Sequence, residues 1–172
     1  MDKNIEFTTK LTAKDMFAFN IRHTYTHFQG ISTIIFGIVL IALAIYNRSG
    51  MSTTYFFLYI IIAILFMTYV PLTLYTRAVN RMKSDTALSN PLKYQLTDDG
   101  IVVTSEAADD SATLPWDYVF KVVTTKKYLL IYSNRVNAYI IPKASVASIY
   151  PQLKEEFEQR VESYRLEMKK IW

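Results

Sequence analysis

The chain has 172 residues, 51% of them hydrophobic and 15% aromatic, with four glycines and five prolines. That composition excludes disordered, collagenous and low-complexity classes, which need few apolar residues or much Gly and Pro. The absence of cysteine excludes disulfides, thiolate metal sites, Cys nucleophiles and lipoprotein anchoring. The net charge of +4 is informative only through its placement along the chain.

The first stretch, Ile5 to Leu11, alternates apolar and polar residues with the period of a half-buried strand. Thr12 and Asp15 then have the spacing of a capping box, in which the carboxylate reaches back to the Thr12 N–H. A helix carrying Met16, Phe17, Phe19, Asn20, Tyr25 and Phe28 is expected to follow and to run into the next element.

Between Arg22 and Arg48 there is no Asp, Glu, Lys or Arg, and the next such residue after Arg48 is Arg77. Residues 28–46 and 55–74 each supply about 20 mainly apolar positions, the length that crosses roughly 30 Å of hydrocarbon. The sequence thus predicts a transmembrane hairpin over 28–75, with a short turn-rich loop that makes the helices antiparallel neighbours. Lys3, Lys10, Lys14 and Arg22 precede the first span; Arg77, Arg81, Lys83 and Lys93 follow the second; the loop carries only Arg48. The bias of basic residues puts both termini in the cytoplasm. No cleaved signal peptide is expected, because the apolar run starts late and lacks a small-residue cleavage site. Neither span holds an ionisable group of the kind that marks ion or proton pathways, so the hairpin reads as an anchor or as a surface for another membrane protein.

The remainder, 76–172, is strand-rich. Residues 92–97 and 101–106 flank Asp98-Asp99-Gly100 in a hairpin pattern. Further strands are expected at 112–115, 118–125, 128–132 and 136–141, with Asn134 suited to a left-handed turn position. With Ile5–Leu11 this makes seven. Tyr150, Leu153, Phe157, Val161, Tyr164, Met168 and Ile171 then form one apolar stripe, which predicts a helix over about 150–171. The stripe suits a lid on the strands or, alternatively, a coiled coil with a second copy.

The ordered set Tyr94–Val103, Leu114-Pro115-Trp116, Lys121-Val122-Val123, Tyr128 and Ile140–Lys143 resembles the YcxB-like family of small bacterial membrane proteins. The pattern from Leu11 through Phe19-Asn20, followed by two spans, is similar as well. The resemblance implies an α+β membrane protein in which residues 1–27 give a strand and an amphipathic helix. A two-helix hairpin is then inserted into a small pleckstrin-homology-like (PH-like) β-barrel or sheet with a C-terminal helix. It implies the bacterial cytoplasmic membrane and no particular activity.

His23 and His27 have the four-residue spacing of two metal ligands on one helix face, but no acid stands beside them; an interfacial polar girdle is the expectation, with no metal and no cofactor. Asp98, Asp99, Asp109 and Asp110 lie in turns, where carboxylates are solvated rather than tuned for catalysis. Phosphate-cradling glycine loops, dinucleotide fingerprints and nucleophile-elbow patterns are missing. The chain therefore reads as a non-enzymatic accessory protein that presents its β-rich part to a protein or peptide partner. Trp116, Phe157 and Tyr164 are the candidate partner-binding residues, and Arg77, Arg81 and Lys83 the candidates for anionic headgroups. A self-assembled membrane oligomer of channel-like or immunity type, and an anionic-lipid sensor, are the alternative readings. Lys and Arg alternate with acids along the last helix, so no nucleic-acid stripe forms.

Overall fold

A computed structural model describes residues 5–26, 28–105, 107 and 110–169. The chain divides into two compact units: residues 1–16 with 81–172, and residues 17–80.

In the first unit, strand β1 (Ile5–Thr9) buries Ile5, Phe7 and Thr9 and exposes Glu6 and Thr8, the alternation written in its sequence. It ends before Leu11 because Thr12 and Asp15 begin a helix there. The Thr12 N–H donates to Asp15 Oδ2 at 3.0 Å and the Asp15 N–H to Thr12 Oγ1 at 3.3 Å, closing the capping box. Helix α1 (Ala13–Tyr25) follows.

The second unit takes over from Phe17. Helix α2 (Phe28–Tyr46) has the expected bounds. The chain is not one continuous helix from α1 into it: the Thr26 hydroxyl caps back onto the carbonyls of Arg22 and His23, both at 2.9 Å. Residues 47–52 turn the chain into helix α3 (Thr53–Ser84), which at 32 residues outruns the expected 55–74. Phe36 of α2 meets Phe66 of α3 with ring centroids 5.0 Å apart. Of the described helices, α3 alone is by itself long and apolar enough to cross a membrane. Helix α1 and the 30–46 stretch of α2 meet that criterion only as a pair, bent by 72°.

Helix α3 re-enters the first unit after Asn80. Asp85 caps a single turn, α4 (Thr86–Ser89), by accepting from the Leu88 N–H. Strands β2 (Leu92–Leu96), β3 (Gly100–Ser105) and β4 (Asp110–Pro115) then run as an antiparallel meander, and β1 joins its outer edge with Phe7 opposite Tyr94. A 3-10 turn at Trp116–Tyr118 leads into the second sheet. Its strands β5 (Lys121–Thr124), β6 (Tyr128–Tyr132) and β7 (Ala138–Pro142) form another meander. After the turn α5 (Lys143–Val146), helix α6 (Tyr150–Arg160) starts with Pro151 in its first turn, where a missing N–H costs nothing. It buries Tyr150, Leu153 and Phe157.

Three expectations need correction. No barrel closes among the described residues: there are two four-stranded sheets, because β4 and β5 are joined through the 3-10 turn and do not pair. The last helix does not reach 171. Val161 takes extended backbone angles, and Leu166–Glu167 forms strand β8, parallel to β5. The free edge of β5 offers unpaired N–H and C=O groups that a continuing helix would leave unsatisfied. Three side-chain contacts hold the new path: Lys121 pairs with Glu167, the Lys169 N–H donates to Thr124 Oγ1, and the Tyr150 hydroxyl donates to the Lys169 carbonyl. The apolar stripe is thereby split, its first half spent on the core, which removes it from the coiled-coil alternative. Finally, the strand expected from Tyr118 begins only at Lys121, since Trp116–Tyr118 are taken up by the 3-10 turn.

Between the sheets, the Tyr94 ring stacks on Phe7 at 5.1 Å and meets Tyr139 edge-on at 6.1 Å. Burial raises the Tyr94 hydroxyl far above its ordinary pKa. That hydroxyl and the one on Thr9 are buried within electrostatic reach of each other but short of hydrogen-bonding geometry.

Candidate functional site

Trp116 stands at the corner where the two sheets meet. Its indole N–H donates to the Thr97 carbonyl at 3.0 Å, and its ring meets Phe157 edge-on at 5.9 Å. The Arg160 guanidinium lies over the same ring at 5.5 Å and donates to both the Asp98 carboxylate, at 2.6 Å, and the Asp98 carbonyl, at 3.1 Å. Its Nε binds Glu156 one turn back. Phe157 is completely buried and Trp116 is 9% exposed, so both hold the corner and neither offers a surface to a partner. Arg160 joins the end of α6 to the β2–β3 turn through charge-assisted bonds, the stronger class of hydrogen bond. Asp98, read as a solvated turn acid, is its anchor.

Tyr164 is 75% exposed and sits in a 3-10 turn after α6. Its neighbour Arg165 donates to the carbonyls of Asp117 and Val119, each at 3.2 Å, and its guanidinium lies 5.5 Å from the Tyr164 ring centre. Those two carbonyls bracket Tyr118, which is 70% exposed, and the next residue, Phe120, is 46% exposed. Three exposed aromatic residues thus lie along the two segments that Arg165 ties together. Aromatic and arginine side chains are the types enriched in protein interfaces. Tyr118 and Phe120 flank Val119, which is completely buried. They lie in the 3-10 turn and before β5, so strand periodicity does not single them out.

Arg77, Arg81 and Lys83 are all exposed on the last turns of α3, and Arg81 makes a 3.7 Å ion pair with Asp85. Helical spacing places Arg77 and Arg81 on one side and Lys83 on another. The three do not form one patch. Among the described residues no group of three His, Asp or Glu is placed to hold a metal ion. His23 stacks against Phe19 at 6.0 Å; His27, Asp109 and the expected strand end Glu106 lie outside the described residues.

At the start of α1, Asp15 also accepts a hydrogen bond from the Tyr128 hydroxyl at 2.8 Å, which joins the helix start to β6. Burial first, then this bond to a carboxylate and the charge behind it, push the Tyr128 pKa up to about 12. A folded-state pKa above the unfolded value of 10.0 means that the unfolded chain loses the proton first. The contribution is therefore fully present below pH 10 and is lost as pH rises toward 12. Chemical denaturation across this range should show stability falling with pH in the wild type and falling less steeply in Tyr128→Phe; parallel curves would show that folding does not raise the Tyr128 pKa.

Neither the curated proteins nor the solved structures return a match to the chain. A family model described as YcxB-like protein matches residues 96–159. That stretch runs from the last residue of β2 to near the end of α6 and contains Asp98, Trp116 and Phe157; the N-terminal pattern from Leu11 to Asn20 lies outside it. The resemblance drawn on Tyr94 through Lys143 is thus matched from Leu96 onward, and residues 96–159 are similar to the YcxB-like family.

Proposed function

We propose that the protein is a non-enzymatic accessory component of the cytoplasmic membrane, anchored by α2 and α3 and presenting its β-rich unit to a protein partner. The observation that carries this reading is the surface of the two long helices. Phe28, Tyr46, Leu65, Tyr69 and Leu72 are each more than 60% exposed, on helices with no charged residue from Phe28 to Tyr46 or from Thr53 to Thr76. Such a surface calls for lipid, since water would leave a large contiguous apolar area unburied. With α2 and α3 as two spans, the basic flanks support a cytoplasmic side for both termini.

A PH-like reading of the β-rich unit is supported by its order: four antiparallel strands, a three-strand meander, then a helix, to which β8 adds a last strand parallel to β5. Within that unit the partner-binding face is Tyr118, Phe120 and Tyr164 around Arg165, in place of the buried Trp116 and Phe157. Arg77, Arg81 and Lys83 serve anionic headgroups as flanking cations of the second span, each worth about 1 kcal/mol near such a surface.

The test is photo-crosslinking in native membranes from a probe at position 118 or 164. One partner band is expected, abolished by Phe120→Asp and absent when the probe is moved beside Arg135 on the β6–β7 turn. Capture of only the protein itself, from all positions, would overturn the adaptor reading in favour of self-assembly.

A further inference from the structure

We propose that α1 is an interfacial helix, lying in the headgroup layer of an anionic leaflet with Arg22 turned toward the lipid phosphates. The inference rests on the reading that α2 and α3 are embedded in a bilayer.

Three observations within residues 17–80 carry it. First, α1 and α2 are bent by 72° to each other, so a spanning α2 leaves α1 close to the membrane plane. The elbow is tight: a Cβ on Gly30 would stand 2.5 Å from the Thr24 carbonyl oxygen, a backbone contact that cannot yield, so glycine lets the first turn of α2 approach the last turn of α1. Second, Phe17 meets Tyr75 edge-on at 5.5 Å. Tyr75 stands two residues before Arg77, the first charge after the apolar run of α3, which sets α1 at the depth where that run ends. Third, Arg22 and Thr26 are exposed, and Arg22 is the one Asp, Glu, Lys or Arg between Asp15 and Arg48. Phe17, Phe19 and Tyr25 stand in the same stretch. Aromatic residues and a cation on a short helix are the composition that settles at a headgroup boundary, by apolar burial plus attraction to anionic lipid.

The chain has no cysteine, so single spin labels can be placed without background. The full-length protein would be reconstituted in nanodiscs of phosphatidylglycerol and phosphatidylcholine with labels at Ala18→Cys or Thr26→Cys. Leu65→Cys serves as the hydrocarbon reference and Arg135→Cys as the aqueous one. The ratio of oxygen to nickel-chelate accessibility reports depth. Both α1 labels should give values between the two references, and Arg22→Glu should shift the Ala18 label to the aqueous value, with Arg22→Gln shifting it part of the way. Aqueous values at both α1 positions, with Leu65 still deep, would overturn the interfacial helix and leave the anchor intact. A hydrocarbon value at Ala18, or no response to either Arg22 variant, would equally overturn it. An aqueous value at Leu65 would show instead that the embedding reading itself is wrong.

Discussion

Replacing Phe157 with alanine is expected to destabilise the β-rich unit by about 3–5 kcal/mol, the range for removing a buried aromatic side chain. The ring is completely buried and is the edge-on partner of Trp116. Removing it leaves a cavity beneath the indole, and Arg160 then stacks on a ring with no support behind it. For a unit of about 100 residues the midpoint of thermal unfolding in detergent should fall by at least about 10 °C. Tyr164→Ala, at a site 75% exposed, should leave the midpoint within about 2 °C. Equal shifts for the two would mean that α6 does not hold the sheets together.

A second large effect is expected at Gly100, which sits opposite Pro115 in the β2–β3–β4 meander with φ of +158°. A Cβ there would lie 2.3 Å from the Leu114 carbonyl oxygen and 2.8 Å from Pro115 Cα. Both atoms are backbone of the adjacent strand, so relief requires the strand to move, and Trp116 moves with it. Gly100→Ala should therefore cost on the order of 3 kcal/mol, at the upper end of overpacking. It should also accelerate amide exchange across residues 92–105. Wild-type exchange in the variant would show that the β3–β4 pair can spread without cost.

Local patterns were legible wherever one physical rule acted alone. The capping box at Thr12 and Asp15, the bounds of α2, and the strand Tyr128–Tyr132 all follow from spacing and composition. The helix expected over 150–171 was half right because periodicity reports a face, not a fate. Val161 fits the stripe and is buried, yet it takes extended angles, because the open edge of β5, remote in sequence, captures the residues that follow. Trp116 and Phe157 illustrate a related limit. Aromatics that look alike in sequence divide into core and surface, and the tertiary arrangement separates Trp116 and Phe157 from Tyr118 and Tyr164. Arg160 and Asp98 stand 62 positions apart, and nothing local links a turn acid to the end of a distant helix.

The most direct test of the membrane reading is the sidedness of two single cysteines in this cysteine-free chain. Gly50 lies in the turn between α2 and α3, with open space around its Cα, and Arg135 is exposed on the β6–β7 turn. In intact cells an impermeant maleimide should label Gly50→Cys and spare Arg135→Cys until the membrane is breached. Labelling of both positions from the same side, or recovery of the protein in the soluble fraction, would contradict the two-span anchor.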